Sequence, residues 1–308
     1  MKIGVFLPIS GRAAGPETLS EASVAMEEWG YDSLWAADRL IIPWKIETPY
    51  PYAEGDEFIV PPDRPFLETL TVLAYLSGQT RSIDLGVSVL VLPYRHPLHW
   101  GKVVTTIDRL SKGRFILGVG VGWMKEEFDA MGADYERRGA VTDEQLELWR
   151  LLLDEEHVRF DGEFYQADDI AFEPKSHERR LPLWVGGEGA AARRRTAQFG
   201  DAWFPYHVEV TVEQLSADHA DVLGRAETFG RASEDVALCA CRPVEVTEQP
   251  VEQHPGRLAG TPEQLTEAIA EYQRIGVDTL ALQFMVPRYP DRMSQIERFA
   301  TDVLPYFR

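Results

Sequence analysis

The chain has 308 residues, 44% of them hydrophobic, with 31 Lys and Arg against 50 Asp and Glu, a net charge of −19. That acidity weighs against nucleic acid and anionic membranes as partners, because phosphate contacts require Lys and Arg. Two cysteines, Cys239 and Cys241, are too few for a disulfide framework and sit too close along a strand-like run to bridge. They read as core thiols in a reducing compartment. MKIGVFLPIS is too short for a secretory signal, and no run of about eighteen apolar residues marks a membrane span. A cytoplasmic protein in solution is therefore expected.

Ile3–Leu7 is a short apolar strand ending at Pro8. Glu17–Gly30 carries a helical stripe through Leu19, Ala22, Ser23 and Met26, and Gly30 closes it. Asp32–Ala37 is a second strand, running into Asp38 and Arg39. Residues 40–65 break the pattern with six prolines and with Trp44, Tyr50, Tyr52 and Phe58. Loops this long are usually functional or disordered, and aromatics argue against disorder, so a lid over a pocket is expected. A helix over Phe66–Thr80 follows. Ile83–Pro93 is almost wholly apolar, as a strand covered on both faces should be. His96–Leu110 reads as a helix.

Next comes GRFILGVGVGWMKEEFDAM, residues 113–131. Side chains on a strand alternate, so Gly118, Gly120 and Gly122 share one face and leave it bare. Glycine inside a strand marks a bulge or a close approach. Either a flat ring system lies against this strand end, or small residues serve a tight turn into a helix over Lys125–Met131.

Val141–Leu153 is helical. Residues 157–173 alternate around Asp161-Gly162 as a hairpin excursion. Strands over Leu181–Val185, Asp201–Pro205, Val236–Val246 and Asp278–Phe284 alternate with helices over Ala190–Phe199, Val212–Gly230, Thr261–Gly276 and Ser294–Phe307. Eight strands, each followed by a helix, fit one closed (β/α)8 TIM barrel over residues 1–308, with an open doubly wound sheet as the other architecture.

In such a barrel the chemistry sits where strands end. Gly186-Gly187-Glu188-Gly189-Ala190 runs from a strand into a helix, and exposed N–H groups at a helix start favour an anion such as phosphate. Arg193, Arg194 and Arg195 follow, as added charge or as a solvated face. Asp38 can hydrogen-bond a ring or a substrate or act as acid or base, or it can cap a helix or pair with Arg39. His96 and His207 can move protons, and His96 can equally cap its helix. No metal-ligand spacing and no Gly-x-Ser-x-Gly elbow is present. Gly118-x-Gly120-x-Gly122 is a poor dinucleotide fingerprint, being on the fourth strand with its third glycine one residue early.

The pieces DSLWAADR (32–39), LGVSVLVLPYRHP (85–97), IDRLSKGRFILGVGVGWMKEEFDAMG (107–132), LPLWVGGEGAAARRRTAQFGDAWFP (181–205) and GTPEQLTEAIAEYQRIGVDTLAL (260–282) resemble the bacterial luciferase-like superfamily of flavin and deazaflavin oxidoreductases. More narrowly, they are similar to members that use coenzyme F-420, an 8-hydroxy-5-deazaflavin. The resemblance implies a luciferase-like TIM barrel and a hydride transfer between F-420 and a small organic substrate. It places Asp38 beside the deazaflavin ring and Ser88-Val89 at a third-strand bulge that often holds a non-prolyl cis peptide. It sets Gly120, Val121, Gly122 and the neighbouring Trp123 along the cofactor, and makes Gly186, Gly187, Glu188, Gly189 and Ala190 the phosphate loop. Asp38, with Arg39, Trp44 and His96 as lesser candidates, is the expected polar group at the reacting centre.

Two positions depart from the related F-420-dependent glucose-6-phosphate dehydrogenases. Arg39 stands where His is common, and Trp123 stands where those enzymes carry Glu after the last glycine. Both weigh against a sugar-phosphate dehydrogenase. The alternatives are an FMN-dependent monooxygenase and a flavin-binding protein without catalysis. A small-molecule substrate, no metal and a homodimer complete the expectation.

Overall fold

The computed structural model describes residues 1–52, 58, 60–177, 180–206 and 210–308. Strands and helices alternate as the apolar runs demand. In chain order they are β1 (Lys2–Phe6), α1 (Pro16–Glu28), β2 (Ser33–Ala36), α2 (Thr69–Ser77), β3 (Asp84–Val91), α3 (Pro97–Leu110), β4 (Phe115–Gly120), α4 (Lys125–Met131) and α5 (Arg138–Asp154). A hairpin of β5 (Val158–Asp161) and β6 (Gln166–Ile170) follows, then β7 (Leu183–Val185), α6 (Ala190–Phe199), β8 (Ala202–Trp203), α7 (Val212–Thr228), β9 (Ala237–Val246), β10 (Leu258–Gly260), α8 (Pro262–Arg274), β11 (Val277–Phe284) and α9 (Tyr289–Asp302).

Parallel pairing runs β11-β1-β2-β3-β4-β7-β8-β9, and β9 returns to β11, so eight strands close a (β/α)8 TIM barrel. β10 pairs in parallel with the Val244–Val246 end of β9, beside the closed ring. Three residues are too few to show a strand period, which is why the sequence does not reveal it. The final helix starts earlier than its apolar stripe suggests, at Tyr289 with Pro290 in the first turn, and yields to a tighter turn over Leu304–Phe307. α2 starts at Thr69, later than expected. Glu68 caps it by accepting the Thr71 N–H at 2.7 Å, while Phe66 bridges to Ser10.

Side chains alternate between two cores. The larger, holding Phe115, Leu117 and Val119 of β4, lies between strands and helices. The smaller fills the barrel. Trp35, Trp184 and Phe204 lie with ring centroids 4.8–5.2 Å apart, beside Cys239 and Cys241, both free and buried. A Cβ on Gly4 or Gly86 would collide with the Trp35 ring, so these two glycines exist to admit it. The Trp35 indole donates to Ser33 Oγ at 2.9 Å, which satisfies the buried N–H. An aromatic plug therefore fills the barrel below the carboxyl rim of its strands.

Among the described residues, no helix is long and apolar enough to cross a membrane.

Candidate functional site

The rim opens between β3, β4 and β7. Gly86 and Val87 of β3 are buried, whereas Ser88 and Val89 keep part of their surface accessible. The same change occurs past β4, at Val121, Gly122 and Trp123, and past β7, at Gly186, Gly187 and Glu188. The expected non-prolyl cis peptide joins Ser88 to Val89, and the β3–β4 register shifts between Val87 and Leu90.

That bulge decides what the glycines do. The expected bare face of β4 is covered: Val89 Cγ2 would lie 2.5 Å from a Cβ on Gly120, and the Val87 carbonyl blocks a Cβ on Gly118. Gly186 is in the same position, its Cβ 2.8 Å from Val89 Cγ1. Gly122 has left the strand, with φ +77°, and faces Val91 and Phe128. A ring on this rim would rest on Val89 rather than on naked backbone. The two glycine stretches nonetheless converge on one place, since both abut the same valine and the Gly186 N–H donates to the Val119 carbonyl at 2.9 Å.

The start of α6 suits an anion. Gly189 is its N-cap, and no side chain caps the helix. A Cβ on Gly189 would meet nothing within 4 Å, and Gly187 takes φ +102°. The N–H groups of the first turn, Ala190 onward, thus have no side-chain cap and lie at the positive end of the helix dipole, beside open space at Gly189. Arg193, Arg194 and Arg195 do not join them. Arg193 pairs with Asp218 and Asp221 of α7, and Arg194 and Arg195 pair with Asp143 of α5. They bolt α6 to its neighbours.

Asp38 lies at the rim with its carboxylate fully buried. Arg95 donates to both oxygens, at 2.7 and 2.8 Å, and the Val91 N–H adds a third bond at 2.9 Å. Burial pushes this carboxyl above its usual range, with Arg95 and the Val91 N–H pulling the other way. Both oxygens are committed, so Asp38 is placed as an anchor for Arg95 rather than as a mobile acid or base. Arg39 turns away from Asp38. It pairs with Glu127 of α4, which is wholly buried, and its guanidinium lies 5.0 Å from the Phe58 ring and 5.3 Å from the Trp123 ring.

Residues 40–65, where a lid is expected, are described except for 53–57 and 59. Tyr50 and Phe58 pack on Trp123 at 5.0 and 5.8 Å, and Tyr52 meets Tyr206 edge-on at 5.6 Å. The segment thus bridges the loops after β4 and β8. Burial pushes the Tyr50 hydroxyl up to about 12. Two consecutive carboxylates of α4 hold the lid's base. Glu127 accepts the N–H groups of Leu40 and Ile41 at 2.7 and 3.2 Å, and the Tyr94 hydroxyl at 3.0 Å. Glu126 accepts the N–H groups of Glu47 and Thr48 and the Thr48 hydroxyl, at 2.7–2.9 Å.

Two sequence candidates fall elsewhere. Trp44 is 84% exposed, in a groove of ≈ 430 Å³ within the lid that also takes in Ile42, Pro43, Ile46 and Val60. His96 is exposed. Its Nδ1 accepts the Leu98 N–H at 3.3 Å as the N-cap of α3, and its ring meets Tyr165 of the hairpin. The capping alternative therefore describes His96, because the residue before Pro97 points along the helix start and not across the rim. His207 lies outside the described residues. Among the described residues no cluster of three metal-ligating side chains occurs.

Sequence reasoning missed Arg95, Glu127, Tyr206 and Gln283. Tyr206 donates its N–H to Glu188 Oε1 and its hydroxyl to Gln283, both at 2.8 Å. A charged residue in the otherwise apolar VLPYRHP run was the available signal for Arg95.

Residues 1–254 match the family model described as luciferase-like monooxygenase. The chain belongs to that family. An uncharacterised Mycobacterium tuberculosis protein is 32% identical over 179 residues, which are 58% of this chain and 62% of that protein. The match thus spans under two thirds of that relative's length. A second uncharacterised protein of that species is 30% identical over 219 residues, 70% of this chain and 75% of its own. An F-420-dependent glucose-6-phosphate dehydrogenase of Amycolatopsis mediterranei is 28% identical over 63% of this chain and 54% of its own.

Among solved structures, the luciferase-like chain superposes with TM-score 0.78 on an F-420-dependent secondary alcohol dehydrogenase at 17% identity, covering 100% of this chain and 99% of the other. A monooxygenase of Streptomyces bottropensis gives 0.78 at 19% identity, with 100% of both chains covered. At these identities the likeness is one of fold.

Proposed function

We propose that this luciferase-like protein is a coenzyme F-420-dependent oxidoreductase that moves a hydride between the deazaflavin and a small organic substrate. The observation that supports the reading is the convergence of Gly120 and Gly186 on Val89, which would seat a ring on the same rim as the uncapped start of α6. The residues fit the group. The N–H groups at the start of α6 would hold the phosphate, and Val89 would back the ring. The Glu188 carboxylate takes the N–H of Tyr206 and its own, and no side chain caps the helix start from Ala190 on. F-420-dependent dehydrogenases among the sequence relatives favour the deazaflavin.

When bound, the cofactor supplies the carbon that gives or takes the hydride. The protein supplies the rest. The Asp38–Arg95 pair fixes the polar wall of the rim. Tyr50, Tyr52 and Phe58 cover it and exclude water. The same aromatics, with Trp123, favour an apolar or aromatic substrate. Arg39 and Trp123 weigh against a sugar phosphate. A homodimer in the cytoplasm is the form we expect to act.

An FMN-dependent monooxygenase is the second reading, favoured by the family's description and by the monooxygenase of like fold. Anaerobic oxidation of reduced F-420 by a panel of ketones and enones tests the first reading. Oxygen-dependent turnover with reduced FMN, and none with F-420, would replace it with the second.

A further inference from the structure

The inner wall of the barrel is apolar through its plug and turns polar at the mouth. Cys239 and Cys241 of β9, Ala281 of β11 and Phe204 past β8 belong to the inner core. Strand side chains alternate, so the next inward positions are Gln283 on β11 and Tyr206 past β8. Tyr206 packs on that inner core, as does Val89. Tyr206 and Gln283 each keep part of their surface accessible.

Tyr206 spans the mouth. The strands there run β7-β8-β9-β11. The Tyr206 N–H donates to Glu188 Oε1, past β7, whereas its hydroxyl donates to Gln283 Oε1, on β11, each at 2.8 Å. The phenol thus points away from the start of α6 and straddles β9. In the closed ring β9 stands four strands from β3 either way, through β4, β7 and β8 or through β2, β1 and β11. The pair therefore lies across the mouth from Val89. Tyr52 of the 40–65 segment meets the Tyr206 ring edge-on at 5.6 Å, so the pair sits between that segment and the inner core.

A phenol and a primary amide hold three donor hydrogens, and one is spent on their mutual bond. Two remain, and turning the amide over would still leave two. Among the described residues nothing accepts from the Gln283 Nε2, and no Lys or Arg is hydrogen-bonded to either side chain. A phosphate or carboxylate calls for charged donors. Neutral donors beside aromatic walls suit a neutral oxygen.

We infer that the Gln283 amide, held in place by the Tyr206 hydroxyl, binds the carbonyl oxygen of a neutral aromatic or apolar ketone or enone, across the mouth from Val89. The inference rests on the proposed function. In the reducing direction a hydride, with its electron pair, passes from reduced deazaflavin to the substrate carbon, and the π electrons of the C=O or conjugated C=C–C=O move onto the oxygen. The Gln283 N–H groups stabilise the charge there and keep their protons. The alkoxide or enolate takes its proton from water, and water regains one from the oxidised deazaflavin ring. Gln283 contacts the reacting oxygen, and Tyr206 is a positioning residue.

The test compares wild type, Gln283→Met and Tyr206→Phe. Titration with F-420, read by quenching of its fluorescence, comes first. Failure of the wild type to bind overturns the proposed function and this inference with it. The two variants should bind F-420 as the wild type does. If Gln283→Met does not, Tyr206→Phe decides alone.

The probe is para-dimethylaminobenzylideneacetone, an aromatic enone whose visible band moves to longer wavelength when its oxygen accepts a hydrogen bond. With oxidised F-420 in place, no turnover is needed. The wild type should move the band to the red, Gln283→Met should leave it unmoved, and Tyr206→Phe should move it less. With reduced F-420, kcat for the same enone should fall roughly a hundredfold in Gln283→Met, with a smaller change in KM. If the enone is not reduced, the band decides. No band shift in the wild type, or a full wild-type shift in both variants, overturns the inference and leaves F-420 binding standing. A Gln283→Met protein with wild-type kcat overturns it as well.

Discussion

Val89 Cγ2 lies 2.5 Å from the point where a Cβ on Gly120 would stand, and Cγ1 lies 2.8 Å from the same point on Gly186. One valine therefore accounts for glycines on two strands. Gly120→Ala should overpack this contact, cost about 1–3 kcal/mol of stability, and push Val89 toward the ring seat. Chemical denaturation measures the first effect. F-420 titration measures the second, as a weakened affinity. A variant with unchanged stability and affinity would show that the Val89 contact sets neither.

The Asp38–Arg95 pair is buried and doubly hydrogen-bonded, and removing Asp38 leaves the Arg95 guanidinium only its longer contacts, to Glu68 at 3.3 Å and the Val91 carbonyl at 3.5 Å. Asp38→Asn should lose about 3–5 kcal/mol, far more than a surface pair would. Replacing both residues with apolar ones of similar volume should restore much of that loss. Denaturant midpoints of the two variants decide it. An Asp38→Asn protein as stable as wild type, and merely slower, would instead make Asp38 a reacting group.

Gly187 takes φ +102°, with Ala192 Cβ 3.0 Å from where its own Cβ would be. Gly187→Ala should cost about 1–3 kcal/mol of local strain and turn N–H groups away from the anion. Affinity for F-420 should fall, while affinity for a deazaflavin without its phosphate tail should change little. Equal losses for both ligands would place the phosphate elsewhere.

The lid should loosen in acid. Against partial burial, which pushes it up, the Glu47 and Thr48 donors hold the Glu126 carboxyl below its usual range. A lowered folded-state value means its support is present above the ordinary carboxylate range and is lost as pH falls through the lowered value. Glu126→Gln should mimic that loss at neutral pH. If about 1 kcal/mol of hydrogen bonding goes, tryptic cleavage after Lys45 should rise about fivefold. Cleavage independent of both pH and the substitution would mean that Glu126 does not hold the lid.

The barrel was legible because each long strand announces itself as an apolar run with a helix after it. β10 was not, since LAG carries no period. The rim was legible only as positions. Asp38 and Arg95 are 57 residues apart, and nothing in either segment says that they pair. The glycines of β4 were visible, but their purpose depends on where a bulge on β3 swings Val89. Glu126 and Glu127 stand in the first turn of a short helix, and their partners, in residues 39–48 and at Tyr94, are distant in sequence.

The account depends most directly on which cofactor the rim holds. Equilibrium titrations of the purified protein with F-420 and with FMN, side by side, decide it. The account predicts saturable F-420 binding at least tenfold tighter than FMN, a difference of about 1.4 kcal/mol. Tighter binding of FMN, or saturable binding of neither, would contradict it.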